Sequence, residues 1–281
     1  MPTKKKIKDI HRIGLLAGGG DLPARIIEDC KAKGIEVFLI GFEGQTNPAL
    51  KKECPHLWTR LGAAGKIIKT LKNNDIEDIV LAGAISRPGL SMLRPDLKAA
   101  QILSRIGLRA LGDNTLLSAL RKELEAEGFF LHGVQKFSDH LIAAEGCIGK
   151  LGPKKEDDVT ITLGLQASQM LGMLDIGQSV VVQGGLVLGV EAAEGTDRLI
   201  ERCGELKHKK ERGPILVKSC KPQQDQDMDL PTIGPETIIK LHKHGYCGVV
   251  IHAGQSIILD VKSVAELADQ YKIFVLGKST Q

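Results

Sequence analysis

Aromatic side chains are scarce: one Trp, two Tyr and six Phe in 281 residues. The core must therefore be built from aliphatic residues, and there is no aromatic interleaving on which nucleic-acid bases would stack. Strong charge of either sign is also missing. A net +4 is too weak a field to make nucleic acid the main partner. No run approaches the ~20 apolar residues of a transmembrane helix. The lysine-rich start has no apolar segment behind it, as a signal peptide would. Six cysteines (Cys30, Cys54, Cys147, Cys203, Cys220 and Cys247) show no C-x-x-C spacing. A disulfide framework is not expected in a chain of this length, so they read as reduced thiols in a cytoplasmic protein.

What the chain has in quantity is glycine, 32 residues, set between short apolar runs and helical patterns. Residues 10–17, 35–40 and 79–82 read as buried strands, and 22–33 and 63–72 as helices. This βαβαβ alternation implies a parallel sheet covered by helices. The fold class is α/β: a Rossmann-like N-terminal domain over residues 1–134, then a C-terminal α/β domain over 135–281. The second half reads as a helix at 156–172 and a hairpin through Gly184-Gly185. After these come a helix at 196–203, a strand at 215–219 and a helix at 235–243. Strands at 248–252 and 256–259 follow, then a helix capped by Ser263 with Glu266 three residues on, and a closing strand at 273–276.

Three glycine or arginine elements lie where α/β ligands gather. Gly18-Gly19-Gly20-Asp21 sits between a strand and a helix, where backbone N–H groups and the helix dipole can hold an anion. Pro23 stands where a dinucleotide fingerprint needs glycine, so a nicotinamide site is not expected. A tight turn and nothing more is the plainer reading. Glu194-Gly195-Thr196-Asp197 repeats the arrangement, with Thr196 either a simple N-cap or part of a phosphate-binding turn. Arg87, after the third strand, could grip a phosphate or simply be exposed.

The most unusual stretch is residues 218–234, with Asp225, Asp227 and Asp229 at alternate positions. In an extended segment these side chains point the same way, and carboxylates that close need a cation, a shared proton or solvent. Their spacing, with Glu236, imitates a calcium loop. That frame needs glycine at its sixth position, where Leu230 stands, so a calcium loop is rejected.

Four ordered segments together carry a resemblance. They are Ile13–Pro23, Glu194–Asp197, Lys221-Pro222 with Gln224-Asp225, and Asp229–Gly234; the ending Ile273–Gly277 agrees with them. The chain resembles, over nearly its whole length, the LpxI-type UDP-2,3-diacylglucosamine pyrophosphatases of lipid A biosynthesis. The resemblance implies two domains with the lipid-linked UDP-sugar held between them. It also implies a divalent cation, usually Mg²⁺, and water attack on the α-phosphorus to give UMP and 2,3-diacylglucosamine 1-phosphate. On this reading Asp225, Asp229 and Lys221 are catalytic. Asp225, Asp229 and Glu194 hold the metal, and Gly18, Gly19, Gly20, Asp21, Arg87, Gly195, Thr196 and Asp197 bind substrate. Transient contact with the inner-membrane surface is expected, and a homodimer is left open. Two positions depart from the family pattern: Gln223 where glycine is common, and Asp227 where arginine is common. The alternative is a non-catalytic nucleotide-sugar or lipid-binding protein of the same fold.

Overall fold

A computed structural model describes residues 7–85, 94–106, 113–138, 140–222, 227 and 230–279. The chain forms two compact units, the first within residues 1–139 and the second within 140–281, with Asp227 counted in the first.

The first unit is built on five strands: β1 (Arg12–Ala17), β2 (Glu36–Phe42), β3 (His56–Thr59), β4 (Asp78–Ala82) and β5 (Phe130–His132). All pair in parallel, in the order β3-β2-β1-β4-β5. Their connections carry α1 (Leu22–Ala32), α2 (Ala64–Asn73), α3 (Leu97–Ile106) and α4 (Asp113–Ala126). The apolar run of β1 explains its central place, since Ile13, Leu15 and Ala17 are fully buried. Helix α1 opens with Pro23 in its first turn, where a missing N–H costs nothing, and buries Leu22, Ile26, Ile27 and Cys30 along one stripe. This strand order makes the point between β1 and β4 the place where the winding reverses, and ligands of open α/β sheets bind at the carboxyl ends there.

The second unit has a six-stranded mixed sheet, ordered β6 (Gly146–Ile148), β13 (Phe274–Lys278), β11 (Gly248–His252), β9 (Ile215–Lys218), β7 (Ser179–Gln183), β8 (Leu186–Val190). Strands β9, β11 and β13 run parallel, and β6, β7 and β8 each run opposite to their neighbour. Strands β10 (Thr232–Ile233) and β12 (Ile257–Ile258) form a separate parallel pair. The helices are α5 (Asp158–Met173), α6 (Gly195–Leu206), α7 (Pro235–Lys243) and α8 (Val261–Tyr271). One aliphatic core, including Val181, Leu199, Leu216, Val249 and Val264, packs α6, α7 and α8 onto the sheet. Gly184 and Gly185 take φ of 55° and 79°, which is what a two-residue turn between right-twisting strands needs. Because β7 runs backward, its first residue and the last residues of β8 and β9 share one edge. Among the described residues no helix is long and apolar enough to cross a membrane.

Two expected caps are placed differently. Helix α8 starts at Val261, and its N-cap is Asp260, whose side chain accepts from the Ser263 N–H; Ser263 lies inside the helix. Helix α6 begins at Gly195 with Glu194 in the N-cap position. Thr196 is therefore inside the first turn, and its hydroxyl is turned to another use.

Candidate functional site

At the carboxyl edge of the second sheet a buried cation and a buried anion share one hydroxyl. Lys218 ends β9 and pairs with Ser179, the first residue of β7. Its ammonium donates to Thr196 Oγ1 (3.2 Å) and to the Thr232 carbonyl (3.1 Å). Thr196 Oγ1 donates in turn to Glu191 Oε1 at 2.7 Å and lies 3.3 Å from Ser179 Oγ. Glu191 Oε2 accepts from the Gln178 N–H (3.2 Å). Lys218 and Glu191 are 8% and 7% exposed. A charge that far from water is sustained only by an opposite charge and hydrogen bonds, and Thr196 supplies the link. Beside it, Gly195 has φ +80° and open space where a Cβ would stand. An anion could therefore come close to the backbone at the start of α6, where dipole and ammonium both favour it.

The other predicted residues of this unit have specific partners. Lys221 lies three residues beyond Lys218, and its ammonium meets Asp175 Oδ1 at 2.7 Å. Glu194 Oε1 accepts from Arg202 (2.8 Å) and Oε2 from the Ala192 N–H (3.1 Å). The Arg202 guanidinium, helped by backbone N–H groups, holds the Glu194 carboxyl below its ordinary range. The expected metal ligand is thus already engaged by a cation. Asp197 pairs with Lys240 and ties α6 to α7.

In the first unit the glycine triplet does sit at the reversal point, but much of its backbone is in use. The Gly18 N–H donates to the Ala82 carbonyl (2.8 Å) and the Gly19 N–H to the Ala84 carbonyl (2.7 Å). A Cβ on Gly18 would stand 2.4 Å from the Ala84 oxygen. Glycine is required there by the close crossing of two chain segments, and the amides of Gly18 and Gly19 are not both aimed outward, as a phosphate cradle would need. Gly20 differs: its φ is +83° and nothing fills the space beside it. Asp21 follows as the α1 N-cap, with no side-chain capping bond.

Asp227 corrects the extended-segment picture, because it lies in a turn. Its carboxylate accepts from the Gly133 N–H (3.3 Å) and faces Lys136 and Arg121, each at 3.4 Å. Two cations and an amide compensate it there. Asp225, Asp229 and Arg87 lie outside the described residues. Among the described residues no group of three or more His, Cys, Asp or Glu is arranged to hold a metal. Sequence reasoning missed Lys218, Glu191 and Ser179. A lysine closing the apolar run Ile215-Leu216-Val217 was the available signal, since a charge at the end of a buried strand needs a partner.

Comparison with known proteins matches both units. The LpxI N-terminal domain model matches residues 12–141 and the LpxI C-terminal domain model residues 144–276. A curated relative from Caulobacter vibrioides, UDP-2,3-diacylglucosamine pyrophosphatase LpxI, is 35% identical over 278 residues, covering 97% of this chain and 99% of that protein. Among solved structures, CobK precorrin-6A reductase is 10% identical, with 97% of this chain and 90% of that one covered, at a TM-score of 0.31. The biotin carboxylase subunit of pyruvate carboxylase is 16% identical, with 70% of this chain and 41% of that one covered, at a TM-score of 0.21. Scores this low carry no argument about fold or activity.

Proposed function

Because the chain belongs to the LpxI family across both of its units, we propose that it hydrolyses the diphosphate of UDP-2,3-diacylglucosamine. Water would attack the α-phosphorus, giving UMP and 2,3-diacylglucosamine 1-phosphate. The observation that carries this reading is 35% identity over 97% of the chain to a protein of that name. A divalent cation such as Mg²⁺, held by Asp225 and Asp229, would withdraw charge from phosphorus and acidify a water. The remaining roles fall to this chain's own groups. Asp225 orients or deprotonates the water. In the second unit, Gly195 and the start of α6 let phosphoryl oxygens come close to the backbone. Lys218, locked by Thr196 and Thr232, adds fixed positive charge at that edge, where it stabilises charge developing in the transition state. The lipid-linked substrate places the protein in transient contact with the inner membrane, from the cytoplasmic side.

Purified protein given UDP-2,3-diacylglucosamine and Mg²⁺ in ¹⁸O-water tests this directly. Attack at the α-phosphorus puts the label in UMP, whereas label in the lipid phosphate would reject the assignment. Tight binding without UMP release would favour a non-catalytic binding protein, and loss of turnover in chelator with recovery on adding Mg²⁺ would support the cation.

A further inference from the structure

The amino-terminal edge of the second sheet, opposite Lys218 and Thr196, carries a cavity of about 520 Å³ whose lining includes Lys150, Leu151, Lys154, Arg212, Cys247 and Lys272, together with Asp269. That volume is within the range of small-molecule sites. Its charge is one-sided. Four cations line it against one carboxylate, and Asp269 is already committed, its Oδ1 accepting from the Lys150 N–H at 2.7 Å. That bond anchors the loop bearing Lys150. Two of the four cations are answered from behind: Arg212 by Asp157 (2.9 Å) and Lys154 by Glu156 (3.6 Å). Lys150 and Lys272 enter no ion pair among the described residues. The floor adds no opposing charge. Cys247 donates to the Gly213 carbonyl at 2.9 Å, and burial pushes its thiol up to about 11, so it stays neutral. Leu151 is 38% exposed and presents apolar surface beside the ammonium groups. Lys272 also holds a left-handed backbone, φ 57°, a conformation that favours glycine.

We propose that this cavity is a binding site for an organic phosphate, the phosphate between Lys150 and Lys272 and a compact apolar or ring substituent against Leu151. Ammonium groups act as point charges on phosphate, and the apolar floor selects an ester over the bare anion. The site is independent of the hydrolytic reading above.

The test is hydrogen exchange of the full-length chain at low salt with octyl phosphate, UMP or inorganic phosphate, read at residues 149–154 and 269–274. Octyl phosphate or UMP should protect these segments at concentrations at least tenfold below inorganic phosphate. Octyl phosphate alone would identify a lipid-like source, and UMP alone a nucleotide. The variant Lys150→Ala/Lys272→Gly should lose at least tenfold in affinity while keeping its basal activity. Glycine suits the backbone at 272, so the variant should fold. A second variant, Leu151→Asn, removes the apolar surface without adding charge, and should weaken binding of the esters while leaving that of inorganic phosphate unchanged. No protection by either ester, or equal protection in the lysine variant, would overturn the proposal.

Discussion

A single hydroxyl links two buried charges of the second unit, Lys218 and Glu191. Thr196 Oγ1 has Glu191 as acceptor and Lys218 as donor, so Thr196→Val keeps the shape and takes one hydrogen bond from each partner. Leaving buried polar groups short of a bond costs about 1–3 kcal/mol. Urea unfolding should show a loss of that size, with Thr196→Ser recovering most of it; an unchanged midpoint would remove the network from the account. Thr196 was legible as a candidate because it follows a glycine turn. Its purpose was not, since Glu191 and Lys218 are distant in sequence and meet only when β8 and β9 reach one edge.

A second carboxylate at this scale has a pH signature. Glu127 pairs with Lys72 at 2.7 Å and also with Lys98, joining α2 and α3 to the end of α4. Hydrogen bonds from the two lysines lower its pKa from 4.5 to about 2. A depressed carboxylate contributes stability that is full above the unfolded value and lost as pH falls through the folded one. Glu127→Gln should therefore cost about 1 kcal/mol at pH 7, as for a favourable surface pair. In thermal melts the deficit should shrink between pH 4.5 and about 2; a deficit constant with pH would contradict it.

At the scale of elements, local chemistry decides where helices begin. Asp260→Ala removes the side chain that caps α8 and should destabilise by about 1 kcal/mol. Ser263→Ala should cost less, because Ser263 Oγ only donates to Asp260 Oδ2 (2.6 Å). The reverse ranking would restore Ser263 as the cap. The glycine turn divides likewise. Gly18→Ala drives a Cβ into backbone 2.4 Å away and should sharply lower the melting temperature, whereas Gly20→Ala meets open space. Gly20→Ala should fold with about 1 kcal/mol of left-handed strain and show its effect in substrate affinity. Equal loss of stability in both would undo the distinction. The aliphatic runs β1, β2, β9 and β11 and their helices were readable from pattern. Strands β3, β6 and β10 were not, because His56–Thr59, Gly146–Ile148 and Thr232–Ile233 contain no aliphatic run and are defined by the neighbour they pair with.

At the scale of the molecule, ordered segments in both halves gave the family before any geometry was known. The order of pairing, β1 beside β4 in one unit and the β7–β8 hairpin beside β9 in the other, came only from structure, because chain order does not fix which strands become neighbours. The acidic stretch illustrates the same limit. Three alternating aspartates left a cation, a shared proton or solvent as the compensation, and for Asp227 it is Arg121, Lys136 and a backbone amide. Asp227→Asn should therefore reduce stability modestly without abolishing turnover, which a urea titration and a rate measurement on the same sample would separate.

The proposed hydrolysis of a nucleotide diphosphate runs through Asp225. UMP release from UDP-2,3-diacylglucosamine is measured for the wild-type chain and for Asp225→Ala, each shown by circular dichroism to be folded. The wild type should release UMP in a Mg²⁺-dependent way, and the variant should lose at least about 10²-fold, the scale of removing a positioned acid–base group. Undiminished release by folded Asp225→Ala would contradict it.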